Sequence, residues 1–512
     1  MKSKVNNHYQ QLQTIGTKIK TLTGISHLLD WDQETYMPAG AVENRSMQMK
    51  TLAGVIHEAK TGRKFAHALS NLIDIEKKTI LAKGLSDKQK AALREWRHDY
   101  VKAKALPKGF VEEFAKTSSQ AISAWRDAKN KNSFAHFSPY LDKIVAMARK
   151  KADLLKFKEH PYDALLDEYE PGALTSKIGQ LFLNLKTFSQ KLLKKIQKAK
   201  EIDDRFLFGK FSEDKQLSFS HLLLQQLGYD LRHGRLDLST HPFSSSSHPT
   251  DSRITTRVNP SSLMDCLFAV LHEAGHALYE MGLPVEHYGS PLGDSISLGM
   301  HESQSRFWET RIGQSKGYWK HNLPLLKQHF PAQFDGISLE KFYQAINKVE
   351  PNLIRIASDE VTYSLHIILR FELEKALIEG SLNVRDIPEA WNARVQELLG
   401  ITPKDDATGC LQDIHWSMGG FGYFPTYTLG NLYAASFFET FSQDHPDWEE
   451  QIASGNFLFI KEWLKENIHK FGRHYSAQEL LKNITGKQFT EGPFIAYLSG
   501  KYGELYGLKQ GH

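Results

Sequence analysis

Apolar residues recur at three- and four-residue spacing over much of the chain, and that period predicts helix. It is clear from Asn7 to about Leu29 and again from Asp87 to Ala105. From Ile178 to Ala199 lysines gather on one face and Leu and Phe on the other. That is the pattern of a solvated helix on a globular body rather than of one lying on a membrane. Two stretches break the rhythm. Between Leu238 and Asn259 stand prolines 242 and 249 and the run Ser244–Ser247, which predicts a loop. Inside it, Arg253-Ile254-Thr255-Thr256-Arg257 predicts a short strand. From Asp405 to Thr428 the glycines 419, 420 and 422 precede Tyr423-Phe424-Pro425. Such a segment predicts a loop that carries function. No internal repeat and no linker divides the chain, so one mainly α domain over 1–512 is expected.

Composition narrows the picture. The 41% hydrophobic content over 512 residues suits a soluble protein with a large core. A net charge of +5, scattered along the chain, gives no basis for nucleic-acid binding. Two cysteines, Cys266 and Cys410, are too few for a disulfide framework and are expected as buried thiols. The first residues are polar, with no apolar signal core, and no run is apolar enough to span a membrane. The expectation is a cytoplasmic protein without a membrane partner.

The chemistry gathers at His272-Glu273-Ala274-Gly275-His276. On a helix, positions i and i+4 share a face, so two imidazoles can converge on one tetrahedral ion. Glu273, one residue on, stands where it can take a proton from water. The context is helical. Ser262 with Asp265 matches a capping box, Leu263, Cys266, Leu267, Val270 and Ala274 form an apolar stripe, and Gly282 and Pro284 mark the end. A catalytic zinc takes three protein ligands and keeps one position open. A third histidine is excluded, because Tyr279 and Gly282 stand where that pattern needs Gly and His. Glu302, in the helical segment His301–Arg306, is the expected third ligand. Glu280 and Glu309 are its rivals. Glu280, one turn after His276, is expected to orient an imidazole, and Glu309 to be a solvated carboxylate. Two His and one Glu suit zinc and also accept cobalt or manganese.

These residues and others along the chain resemble the thermostable carboxypeptidase Taq family, the M32 metallocarboxypeptidases. The likeness rests on Asp30–Thr35 with Met37-Pro38, Tyr162–Leu166, His241-Pro242-Phe243, Asp251–Arg257, and the two segments at His272 and His301. It continues through Ile354-Arg355, Asp359–Tyr363, Gln412–Trp416 and Gly422–Tyr427. The serine run after Phe243 departs from the pattern. The resemblance implies a single large, saddle-like, helical zincin fold with a deep central groove and a small β-sheet beside the His272 helix. It also implies a homodimer that removes single residues from peptide C-termini with broad tolerance, using zinc or, in its place, cobalt. On the matching motifs it supports His272, His276 and Glu302 as ligands and Glu273 as base.

A carboxypeptidase must hold a free carboxylate, and the planar fork of arginine suits that task. The candidates are Arg253, Arg257 and Arg355. By residue type, Arg355 reads as a structural ion pair with Asp359 or Glu360; the family motif points it to substrate. For the oxyanion of the tetrahedral intermediate, Tyr423 is the first choice as donor, His415 the second and Tyr427 the third. His241 is expected either at the substrate backbone or holding its own turn. Two other readings stay open: an endo-oligopeptidase or dipeptidase with the same metal, and a helical scaffold with a vestigial site. An intact Glu273 argues against the latter.

Overall fold

The computed structural model describes residues 2–508. Its first helices form an arm: α1 (Lys2–Thr35), α2 (Val42–Thr61), α3 (Arg63–Ser70) and α4 (Asp87–Ala105). α1 ends where Pro38 forces the preceding residue out of helical geometry. α4 starts on a capping box made by Ser86 and Gln89. The arm has a small core of its own, with Tyr9, Leu12, Phe65, Leu69, Leu93 and Trp96, closed by Leu292 from the body.

The body begins with α5 (Lys108–Asn130), α6 (Phe134–Leu155), α7 (Pro161–Leu166), α8 (Thr175–Ile196) and α9 (Glu213–Gln226). A small sheet follows, with strands β1 (Leu236–Leu238), β2 (Ser244–His248) and β3 (Asp251–Thr256) in the order β1-β3-β2. β1 runs parallel to β3 and β2 antiparallel to it. The serine run is therefore an edge strand rather than a loop. α1 lies closely on it: a side chain at Gly24 would meet the Ser247 carbonyl at 2.7 Å. Ser246 Oγ is 2.5 Å from Ser252 Oγ, and Ser247 Oγ donates to Asp251 at 2.8 Å. Arg257, predicted inside the strand, lies just past the end of β3 and is exposed.

The sheet backs α10 (Leu263–Gly282), with Ser252 Oγ donating to Ala277 O and Thr256 Oγ1 to Cys266 O, both at 3.4 Å. The expected capping box at Ser262 is not formed. Asn259 Nδ2 instead donates to Asp265 at 2.8 Å, which draws that carboxylate off the helix end. Next come α11 (Leu298–Arg306), α12 (Lys316–His329), α13 (Pro331–Phe334), α14 (Leu339–Ile346) and α15 (Glu360–Glu379). A π-helical turn, Phe307–Ile312, extends α11 without a break. α16 (Ile387–Leu399) leads to the glycine-rich segment, and α17 (Pro425–Asp444) begins inside it. The predicted loop thus stops at Phe424, because Pro425 occupies the first helical turn, where its missing N–H costs nothing. α18 (Trp448–Ala453), α19 (Leu458–Asn467), α20 (Ala477–Thr485) and α21 (Gly492–Leu505) complete the chain. Both cysteines are buried and unpaired, as expected. Among the described residues no helix is long and apolar enough to cross a membrane.

Two glycines set the distances in the body. A Cβ at Gly275 on α10 would fall 2.6 Å from the Gln304 carbonyl oxygen and from Ser305 Cα on α11. A Cβ at Gly430 on α17 would strike the side chain of Glu302. Behind them, buried Glu170 accepts from Tyr433 Oη at 2.9 Å and from Gly299 N at 3.1 Å, joining α17 to α11.

Gly275→Ala is expected to destabilise by about 1–3 kcal/mol through overpacking, read from urea midpoints. Burial pushes the Glu170 carboxyl up to about 7. Because its folded value lies above its unfolded one, stability is fullest below pH about 4.5 and falls as pH rises towards 7. Glu170→Gln should flatten that part of the stability–pH curve; an unchanged slope would place the dependence elsewhere.

Candidate metal centre

His272 and His276 project from one face of α10, and Glu302 reaches them from α11. Their Nε2, Nε2 and Oε2 atoms form a compact triangle, with Glu302 Oε2 lying 3.5 Å from His272 and 3.4 Å from His276. A tetrahedral ion with bonds of about 2.0–2.1 Å needs donor atoms about 3.3 Å apart. The residues therefore fit a small divalent cation with one position left open.

Each donor is held from behind. His272 Nδ1 meets Glu309 Oε2 at 2.7 Å. Glu309, expected in solvent, is instead largely buried and orients that imidazole. His276 Nδ1 lies 2.6 Å from His301 Nδ1, and His301 Nε2 lies 2.9 Å from Glu280 Oε1. With both outer N–H groups donating, the series runs His276 to His301 to Glu280 and leaves His276 Nε2 a free lone pair. Glu280 thus orients an imidazole as expected, but through His301. Arg306 Nε donates to Glu302 Oε1 at 2.9 Å, and its Nη1 donates to Glu309 Oε2 at 3.2 Å. One guanidinium so ties a candidate ligand to the carboxylate behind another. Burial disfavours a charged His272, yet Glu302 and Glu309 hold it up at about 9. Burial, with His301 and His272 nearby, instead lowers His276 to about 4, so that ring stays neutral. Glu273 is 7% exposed and accepts no hydrogen bond from any described residue. Burial, opposed by His272, pushes its carboxyl up to about 7.

A second cluster adjoins the first. Arg355 is buried and pairs with Asp413, not with Asp359 or Glu360: its Nε and Nη2 lie 3.1 and 2.9 Å from Asp413 Oδ1. Asp359 is occupied capping α15, and Glu360 by Arg311 and Lys501. Arg370 Nε donates to the other Asp413 oxygen at 2.7 Å. Against burial, which raises it, Arg370 and Arg355 hold Asp413 well below the usual carboxylate range. His415 Nε2 meets Tyr427 Oη at 3.1 Å, and the rings of His415 and Tyr423 lie 5.1 Å apart. Burial pushes Tyr423 up to about 12, so it keeps its proton. It also lowers His415 to about 3, so that ring stays neutral. Arg253 stands apart, in a two-point pair with Asp251 and 4.6 Å from the centre of the Trp31 ring, and His241 is exposed.

The carboxypeptidase Taq (M32) metallopeptidase model matches residues 11–502. The chain belongs to that family. M32 carboxypeptidases are peptide hydrolases that act at C-termini and use a metal. The chain is 41% identical over 510 residues to thermostable carboxypeptidase 1 of Thermus thermophilus, covering 98% of this chain and 99% of that one. It is 38% identical over 482 residues to carboxypeptidase 1 of Bacillus subtilis, covering 94% and 95%. The crystal structure of the M32 carboxypeptidase from Deinococcus radiodurans superposes with a TM-score of 0.94 at 38% identity, covering 98% and 100%. The mainly helical M32 fold with its small sheet is thus this chain's fold.

Sequence reasoning gave no role to Arg306, His301 or Asp413. Arg306 carried a readable signal, since it stands one helical turn after Glu302. His301 and Asp413 carried none without the fold.

Glu309→Ala is expected to weaken metal binding about 10–100-fold, measured by competition with a chelator. Gly430→Ala, which displaces the Glu302 side chain, should also weaken it; wild-type affinity there would separate Glu302 from the metal.

Proposed function

We propose that this protein is a zinc carboxypeptidase of broad specificity, one catalytic unit over 1–512, acting in the cytoplasm as a homodimer on peptides with a free C-terminus. The observation that carries the reading is the free valence of Arg355. Of its five N–H donors, three are engaged by Asp413 and Tyr363, which leaves one on each Nη. Two such donors match the two oxygens of a carboxylate.

His272, His276 and Glu302 would hold the zinc, and their donor set also accepts cobalt or manganese. The bound ion supplies Lewis acidity towards the scissile carbonyl and the attacking water. Glu273 takes a proton from that water as its oxygen bonds to the carbonyl carbon. The same carboxyl then gives the proton to the amine nitrogen as the C–N bond breaks. Tyr423 donates its hydroxyl proton in a hydrogen bond to the oxyanion, with His415 as the alternative donor. Arg355 holds the terminal carboxylate, and Arg253, His241 and Tyr427 are assigned to the remaining substrate contacts. No covalent acyl-enzyme forms.

Glu273→Gln should keep its metal and lose at least about 100-fold in kcat. Near-normal turnover in that variant would remove Glu273 as base. Mass spectrometry of a peptide mixture should show ladders shortened from the C-terminus, absent with chelator. Amidated peptides should resist; equal cleavage of amide and free acid would favour an endopeptidase.

A further inference from the structure

The candidate ligands and Arg355 stand on different elements, yet one side chain touches both assemblies. Tyr363, in the first turn of α15, is 4% exposed. Arg306 lies over its ring with Cζ 4.3 Å from the centroid, and the same Arg306 holds Glu302. At the far end of that ring, the hydroxyl accepts from Arg355 Nη1 at 3.1 Å. Tyr427 closes the side, its ring edge-on to Tyr363 at 6.4 Å and 4.8 Å from the Arg355 Cζ. Glu302, Arg306, Tyr363 and Arg355 are thus a continuous series from the metal centre to the carboxylate-binding fork.

We propose that Tyr363 is the spacer that fixes how far Arg355 stands from the metal centre, and so restricts the enzyme to one residue per cut. The proposal rests on the reading of Arg355 given above. Release of a single residue requires the terminal carboxylate and the scissile carbonyl to be one residue apart. Sliding an extended peptide by one residue moves it about 3.3–3.6 Å. A phenol ring is rigid; this one is tethered at one end by its own backbone in α15, bonded at the other through its hydroxyl, and covered on one face by Arg306. Arg355 cannot retreat by such a distance without losing the hydroxyl bond and the Asp413 pair that Arg370 anchors from behind. Nor can the ring follow it, because its Cβ is held in buried α15 and Arg306, itself tied to Glu302 and Glu309, lies against its face. Tyr363 acts through Arg355 and is a positioning residue.

Two variants separate its two contacts. Tyr363→Phe removes the hydroxyl and keeps the ring on Arg306; Tyr363→Leu removes both. Binding is measured by calorimetry in the Glu273→Gln background with zinc bound, using one peptide as free acid and as amide. Tyr363→Phe should weaken the free acid about ten-fold, as expected for a lost hydrogen bond to a charged group, and leave the amide and the zinc content unchanged. In the active protein, Tyr363→Leu should raise KM more than it lowers kcat, and mass spectrometry should find dipeptides among the released products. Added to Arg355→Met, Tyr363→Phe should change free-acid binding no further. The spacer is overturned by unchanged free-acid binding in Tyr363→Phe, by an additive double variant, or by single-residue release at wild-type KM in Tyr363→Leu. Where Tyr363→Leu does not fold, the Tyr363→Phe binding series decides. Unchanged free-acid binding in Arg355→Met alone would overturn the reading of Arg355 itself, a failure that appears with Tyr363 intact.

Discussion

Everything at the metal centre depends on how closely three helices pass one another. α10 crosses α11 where Gly275 leaves room for the Gln304–Ser305 backbone, and α17 presses Gly430 against Glu302 from the other side. Interiors this dense do not yield by fractions of an ångström without cost. The separation of the three donor atoms is therefore a packing property of the helices before it is a property of the ligands. Imidazoles and carboxylate are delivered already at the spacing a small cation requires, so little reorganisation is left for binding.

Buried charge is the second constraint. A lone ion in a dry interior is costly unless paired and hydrogen-bonded. Here the charges come in shared sets. Arg306 serves two carboxylates, and Asp413 serves two guanidiniums. Sharing leaves the second set with more positive than negative charge, and Arg355 with donors unspent. That surplus is what makes the cluster suited to a carboxylate.

Much of this was legible in the amino-acid order. The i, i+4 spacing of His272 and His276 announced itself, as did the end of α10 at Gly282 and the strand at Arg253. Glu302 could be reached by excluding a third histidine. What could not be read was set by tertiary neighbours. Glu309 looks like a surface carboxylate in its own segment; it meets His272 because the turn that continues α11 packs against α10. Ser244–Ser247 has the composition of a loop and becomes a strand because β3 and α1 flank it. The partner of Arg355 lies 58 positions away, at Asp413, and no local pattern announces it.

The arm carries a consequence for how the molecule comes into being. Most of its small core lies within the first hundred residues. Yet Leu292, which completes that core, follows Trp96 by nearly two hundred positions. Gly16 of α1 also rests against Gly289, just before it. Contacts so distant along a chain are slow to form, because the intervening loop must close first. The arm therefore consolidates only once the chain beyond α10 has brought Gly289 and Leu292 against it.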